Sequence, residues 1–272
     1  MPAGRGKETQ LMTIITLTSD WGTGNHYAGA VRGALLRQLP GATIVDISHH
    51  ITCFDIMQAS FVIKNAAPHF PKGSIHLIGI NTEGGIESPH IAARYREQFF
   101  VGADNGIFSL LFEGGEVEAV ELDVLQDTDY FTFSTRDVFV KAAALLASGK
   151  PLADIGRPYP ALNEKIPFRP VAYPDKIIGK VVFIDSYENV FVNIDQGLFR
   201  ETAKGRRFLI NFRSPDDGIS QLRESYLDVV PGEKLALFGS TGLMELAINQ
   251  GKAASLLGLQ MNDTVSVDFF ND

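Results

Sequence analysis

The feature that most constrains this chain is a change of period along its length. Five short apolar runs of strand type, Ile14–Thr18, Ala42–Ile47, Ser74–Ile80, Gln98–Gly102 and Glu118–Leu122, are spread over the first half. Between them Tyr27–Leu39 and Asp55–Ala67 carry apolar residues at helical spacing, with Pro40 and Pro68 as stops. Such alternation predicts a layered α/β sheet, mostly parallel, with ligands beyond the carboxyl ends of its strands. A further helix is predicted over Arg136–Ser148, closed by Gly149 and Pro151. Then the pattern changes. Gly156–Pro174 holds prolines at 158, 160, 167, 170 and 174 and reads as an extended linker. Beyond it come the β-type runs Lys180–Ile184, Asn189–Ile194, Arg207–Phe212, Lys234–Phe238 and Thr264–Phe269, the mark of a smaller all-β, barrel-like or sandwich domain. The expected organisation is a disordered lead-in over residues 1–12, an α/β domain over 13–170 and a β-barrel domain over 171–272.

Charge and cysteine content narrow the function classes. A formal charge of -8 disfavours nucleic acid or an anionic membrane surface as partner and is compatible with a cationic small ligand. Cys53 is the only cysteine, which excludes an intrachain disulfide and a multi-cysteine zinc site. No apolar run approaches the roughly 18 residues of a membrane span, and the opening MPAGRGKETQ lacks a signal-peptide core. A cytoplasmic protein is expected.

Three local patterns bear on chemistry. SDWGTGNHYAG, Ser19–Gly29, follows the first strand as phosphate-binding loops do, but its glycines at 22, 24 and 29 miss the dinucleotide spacing. Asp20 also places a carboxylate there, which repels phosphate and accepts hydrogen bonds from sugar hydroxyls or faces a cation. Two readings stand at this point, a ligand grip and a cap on the next helix. His49-His50 with Asp46 and Cys53 offers metal-ligand types, yet adjacent residues at a strand end point to opposite faces and the spacing fits no zinc site. No metal is expected. GSTG, Gly239–Gly242, lacks nucleophile-elbow spacing but exposes backbone amides able to hold a carboxylate.

Taken together, SDWGTGNHYAGAVRGAL, VDISHHITCFDIMQAS, FVGADNGIFS, TFSTRDVF, IDSYENVFVNI and GSTGLMELAINQGKAASLLGL, in this order, resemble the S-adenosylmethionine fluorinase/chlorinase and hydroxide adenosyltransferase family. The resemblance runs from about Thr13 to the C-terminus. It implies an α/β domain followed by a β-barrel, a homotrimer, and S-adenosylmethionine bound between the first domain of one subunit and the second domain of the next. By the same resemblance Asp20 holds both ribose hydroxyls, Asn25 belongs to the same substrate loop and Phe54 lies against the ribose. Asp185 meets the methionine ammonium, Asn189 the adenine, and Tyr187 stacks on the adenine. Ser240 binds the carboxylate, Glu245 pairs with the ammonium, and Asn249 and Gln250 lie near the adenine edge. No cofactor is implied beyond S-adenosylmethionine itself, and its products, adenosine and methionine, are the other small-molecule partners.

One departure from the family matters. Members that use water resemble one another in an Asp, Arg and His triad, drawn from D-P-G-V-G-T-x-R and T-F-H-G-R-D stretches. Here those stretches read NTEGGIES, Asn81–Ser88, and TFSTRD, Thr132–Asp137, so the three positions are Asn81, Ser88 and Ser134. None is ionisable near pH 7, and general-base help is typically worth ~10²–10⁴-fold. Glu83 or His90 are nearby substitutes for the base; hydroxyls of Ser88, Ser134 and Thr135 are alternative lining for an anion. Halide-using relatives carry a tyrosine and a threonine where this chain has Asn81 and Gly84. Three readings follow: transfer of adenosyl to water, giving adenosine and methionine; ligand binding without turnover; and transfer to another nucleophile, halide included.

Overall fold

The computed structural model describes residues 13–126, 129–212 and 218–270, and the expected lead-in over residues 1–12 lies outside them. The chain divides into two compact units, Met1–Ile166 and Pro167–Asp272.

In the first unit the strand-type runs become β1 (Ile14–Ser19), β2 (Thr43–Ser48), β3 (Ile75–Gly79), β5 (Gln98–Ala103) and β6 (Val117–Leu122), joined by β4 (His90–Tyr95) and β7 (Gly156–Pro158). The helices are α1 (His26–Gln38), α2 (Ile56–Ala66) and α3 (Ile107–Leu111). A fourth begins as one wide π turn, Thr135–Phe139, and continues as α4 (Val140–Ala147). Sheet order is β2-β1-β3-β5-β4-β6-β7. Only the β2-β1-β3-β5 half is parallel; β4, β6 and β7 pair antiparallel. The sheet is therefore mixed rather than mostly parallel. The reason lies in β4, whose HIAARY sequence is rich in helix-tolerant Ala and Arg and gives no strand signal. It turns directly into β5 through Arg96 and Glu97, both left-handed (φ 47° and 61°), and a two-residue hairpin can only make an antiparallel pair.

Alternation along the strands sorts the core into two layers. Ile15, Leu17 and Leu77 pack with Val31 and Leu35 of α1 and Ala142 and Ala143 of α4. Ile78, Ile80 and Ile91 pack with Ala59 and Ile63 of α2 and Ile107 and Phe108 of α3. Helices thus cover both faces, and each fully buried Leu or Ile contributes about 1.5–3 kcal/mol.

The second unit holds β8 (Val171–Tyr173), β9 (Lys176–Ile184), β10 (Val190–Asp195), β11 (Arg207–Asn211), β12 (Lys234–Phe238), β13 (Leu243–Ile248) and β14 (Thr264–Phe270), with α5 (Gln196–Ala203) and α6 (Ala253–Leu257). The order is β11-β14-β9-β10-β13-β12, all antiparallel, with β8 added beside β9. The sheet curls, and the chain after β11 spans its two edges. Ile219 exchanges backbone hydrogen bonds with Ile210 of β11 (2.8 and 3.0 Å), and Arg223 N donates to Ala236 O of β12 (2.8 Å). The result is a half-barrel around Val181, Val192, Met244, Leu246 and Val267. β13 was not legible in the sequence, because LMELAI is made of helix formers; pairing on both sides decides its state. The proline-rich stretch is not linker throughout: it begins and ends in short paired strands, β7 and β8.

Candidate functional site

In the first unit the candidate residues gather at the carboxyl ends of the parallel strands. Asp20 follows the last residue of β1, and its Oδ2 accepts the backbone N–H of Phe54 (2.9 Å). It does not cap α1. The residue at that cap is Asn25, whose side chain instead donates to Trp21 O (2.9 Å). Phe54 sits in the left-handed region (φ 67°) and is 72% exposed, so it is not packed into the core. A bulky residue held there stores backbone strain. The carboxylate, the exposed ring and Asn25 thus share one turn system.

The positions that the resemblance assigns to the triad lie on two segments, Asn81 and Ser88 on the loop between β3 and β4 and Ser134 at the start of the fourth helix. Asn81 follows β3 with a left-handed backbone (φ 46°). Its carbonyl accepts from Asn105 Nδ2 (3.2 Å), which also reaches Ile80 O (3.0 Å). The far end of the same loop is held through Asn163, which donates to Glu87 O (2.6 Å), while Asp104 N donates to Pro89 O (2.8 Å). Asp104 is buried, and burial raises its carboxyl pKa. His90 donates from Nε2 to Thr82 O (2.9 Å) and meets Phe139 edge-on at 5.0 Å between ring centres. That contact brings the NTEGGIES loop to the π turn, where Ser134 and Thr135 are buried and Thr135 Oγ1 makes no hydrogen bond among the described residues. Burial lowers the His90 pKa, so its ring is neutral at pH 7. Glu83 and Gly84 are exposed, and a Cβ on Gly84 would press on the His90 ring at 2.7 Å.

Trp21 links the Asp20 turn to the start of the fourth helix. Its ring lies edge-on to Phe133 (5.6 Å), immediately before Ser134, and a Cβ on Gly79 would meet it at 2.5 Å. Sequence reading quoted this residue without giving it a role; being next to Asp20 and alone of its type was the available signal.

The second unit carries the remaining candidates. Asp185 Oδ1 accepts from Tyr187 N (2.9 Å) and Asn189 N (2.8 Å), which folds the SYEN turn and leaves the Tyr187 ring exposed. Glu188 closes that turn onto α6: its carboxylate accepts from Ser255 N (3.0 Å) and pairs with Lys252 (2.9 Å), bonds that hold its pKa down at about 2. The Asn249–Gln250 corner leads into the same helix. Asn249 is spent internally, donating to Val229 O (2.7 Å), and Gln250 is exposed with φ 54°. Glu245, on β13, is only 3% exposed and accepts from Tyr226 OH (2.5 Å). Burial raises its pKa, and the nearby Asp185 carboxylate raises it further. Asp185 and Glu245 thus place two carboxylates near one another, with the Tyr226 hydroxyl donating to the second; Tyr226 lies outside every sequence motif named above. Gly239 of the GSTG turn abuts Glu245, a Cβ there falling 3.0 Å from Oε2, which sets the exposed Ser240 near the pair. Among the described residues no three His, Cys, Asp or Glu side chains are arranged to hold a metal, and no helix is long and apolar enough to cross a membrane.

A three-layer α/β unit with an acid at a strand tip, followed by a curled antiparallel unit, defines a two-unit protein of α/β and half-barrel class. The SAM hydroxide adenosyltransferase N-terminal domain matches residues 15–156 and the corresponding C-terminal domain residues 179–266, and the chain belongs to that family. It is 31% identical over 262 residues to a protein from Salinispora tropica named (R)-S-adenosyl-L-methionine hydrolase, covering 93% of this chain and 97% of that one. A protein named fluorinase from an Actinoplanes species is more distant, 24% identical over 294 residues with 93% and 97% covered. A crystal structure of an uncharacterised conserved protein from Thermotoga maritima superposes with a TM-score of 0.85 at 28% identity, covering 94% of this chain and all of that one.

Proposed function

We propose that the protein hydrolyses S-adenosyl-L-methionine at C5′, giving adenosine and L-methionine, on the sulfonium epimer that the hydrolase name of its relative specifies. The observation that carries this reading is similarity along nearly the whole chain, stronger to the hydrolase than to the fluorinase. In this reaction the water oxygen bonds to C5′, the C5′–S bond breaks, and its electron pair neutralises the sulfonium as the methionine thioether. The attacking water's proton passes to solvent. No cofactor enters.

In this reading Asp20 binds the ribose hydroxyls with the oxygen lone pairs left over from Phe54 N–H, while Asn25 and Phe54 bound the sugar. Asp185 and Glu245 meet the ammonium, Ser240 the carboxylate, and Tyr187, Asn189, Asn249 and Gln250 the adenine. Asn81, Ser88, Ser134 and Thr135 surround the water. The resemblance to the family further implies a homotrimer with its ligand sites at subunit interfaces. With no ionisable triad, acceleration comes from orientation, which is worth several kcal/mol, while the positive charge passes from sulfur to the attacking oxygen and leaves with its proton to solvent.

The test is chromatography of purified protein incubated with the (R) and (S) sulfonium epimers, with and without chloride. Adenosine and methionine in equal amounts, from the (R) epimer and independent of chloride, are expected. Recovery of intact substrate at stoichiometric enzyme, or a 5′-halo nucleoside, would overturn the proposal.

A further inference from the structure

Beneath the Asp20 turn runs a four-residue relay that the reaction does not use. Arg32 of α1 holds Asp46 of β2 through Nε (3.2 Å) and Nη2. Asp46 Oδ1 lies 3.0 Å from His49 Nε2, and His49 Nδ1 lies 2.6 Å from Ser19 Oγ. The order resembles a hydrolytic triad, but Ser19 is fully buried, so no substrate carbonyl reaches it.

Its geometry is that of a brace. Nε2 faces the Asp46 carboxylate and, farther off at 3.3 Å, Arg32 Nη2. A lone pair on Nε2 would oppose the carboxylate at the shorter distance, so Nε2 carries the hydrogen, and in the neutral ring Nδ1 then accepts from the Ser19 hydroxyl. Ser19 Oγ is thereby aimed, and it accepts from Trp21 N (3.5 Å) on the other side of Asp20. His49 also accepts Gly22 N at its carbonyl (2.7 Å) and lies parallel to the Trp21 ring at 6.0 Å. Both neighbours of Asp20 are therefore tied to His49, Ser19 through the imidazole and Trp21 through Ser19 Oγ and the parallel rings. We infer that Arg32, Asp46, His49 and Ser19 are positioning residues that lock the Asp20 carboxylate in its sugar-binding orientation, through a single histidine tautomer. This rests on the reading of Asp20 as the ribose grip.

Two measurements test it. Nitrogen-15 NMR of the full chain, with His49 assigned by loss of its signal in His49→Gln, is expected to show the Nε2–H tautomer, and in Asp46→Ala a shift towards the Nδ1–H form. Calorimetry then compares adenosine with 2′-deoxyadenosine. In Asp46→Ala and Ser19→Ala the preference for adenosine should fall about tenfold while 2′-deoxyadenosine affinity is unchanged, a selective loss that general destabilisation does not produce. Ser19→Ala, a small change, serves if Asp46→Ala does not fold. An Nδ1–H tautomer in the unmodified protein, or a retained preference in both variants when Asp20→Asn abolishes it, would overturn the inference alone. A preference untouched by Asp20→Asn would instead remove the ribose reading, and the inference with it.

Discussion

Replacing Tyr226 by phenylalanine removes one oxygen and tests the electrostatics of the acidic pair. Tyr226 OH donates to Glu245 at 2.5 Å, and Glu245 is 3% exposed beside Asp185. A hydrogen bond to a charged acceptor is worth about 1.5–3 kcal/mol, against about 0.5–1.5 for a neutral one. The loss should therefore depend on the charge of Glu245. That carboxyl titrates above its ordinary value of 4.5, chiefly through burial, so the folded state binds the proton more tightly than the unfolded chain. Stability from this group is complete below pH 4.5 and is lost as pH rises through the raised value. Tyr226 offsets part of that loss by favouring the ionised form, so Tyr226→Phe steepens it. Hydrogen exchange of the β13 amides, corrected for intrinsic rates, reads the opening of this unit directly. At pH 8 exchange should accelerate about 10- to 150-fold, and at pH 4 only roughly two- to tenfold, since each 1.4 kcal/mol is about a factor of ten. Equal acceleration at the two pH values would refute the argument, because it would mean that Glu245 carries no charge for the phenol to stabilise.

Other consequences follow from the first unit. His76, 1% exposed and accepting or donating at Nδ1 with Thr16 Oγ1 (2.7 Å), has its pKa lowered by burial to about 4. The unfolded chain then binds the extra proton first, so stability present above pH 6.5 should fall by roughly 3 kcal/mol as pH drops towards 4, and His76→Leu should flatten that limb in urea titrations. The readout is Trp21 fluorescence, the only tryptophan. Gly79→Ala, with its Cβ 2.5 Å from the Trp21 ring, should destabilise by about 1–3 kcal/mol in the same assay. In turnover assays Glu83→Gln should leave the rate within about twofold, below the ~10²-fold floor for losing a general base. His90→Gln should retain more activity than His90→Ala, because an amide can still donate to Thr82 O; equal loss would favour a base role for the ring.

The sequence by itself determined the two architectures and their order. Short apolar runs alternating with helical stretches predict a layered sheet, and the later short runs a smaller all-β unit, barrel-like or sandwich. It also placed Asp20, Asn81 and His49 beyond strand ends, because where a run stops is a local property. Tertiary structure decided the rest. β4 and β13 are built from helix-tolerant residues and exist as strands only because neighbours on both sides supply hydrogen bonds. The opposing fates of adjacent His49 and His50, one buried against Trp21 and the other exposed, were anticipated from strand geometry, whereas the Ser19 and Arg32 contacts of His49 were not. Tyr226 reaches Glu245 across 19 residues and Asn105 reaches Asn81 across 24, and no pattern in the intervening chain encodes such meetings. Side-chain chemistry is written locally, but which groups share a desolvated space is fixed only when distant strands close around it.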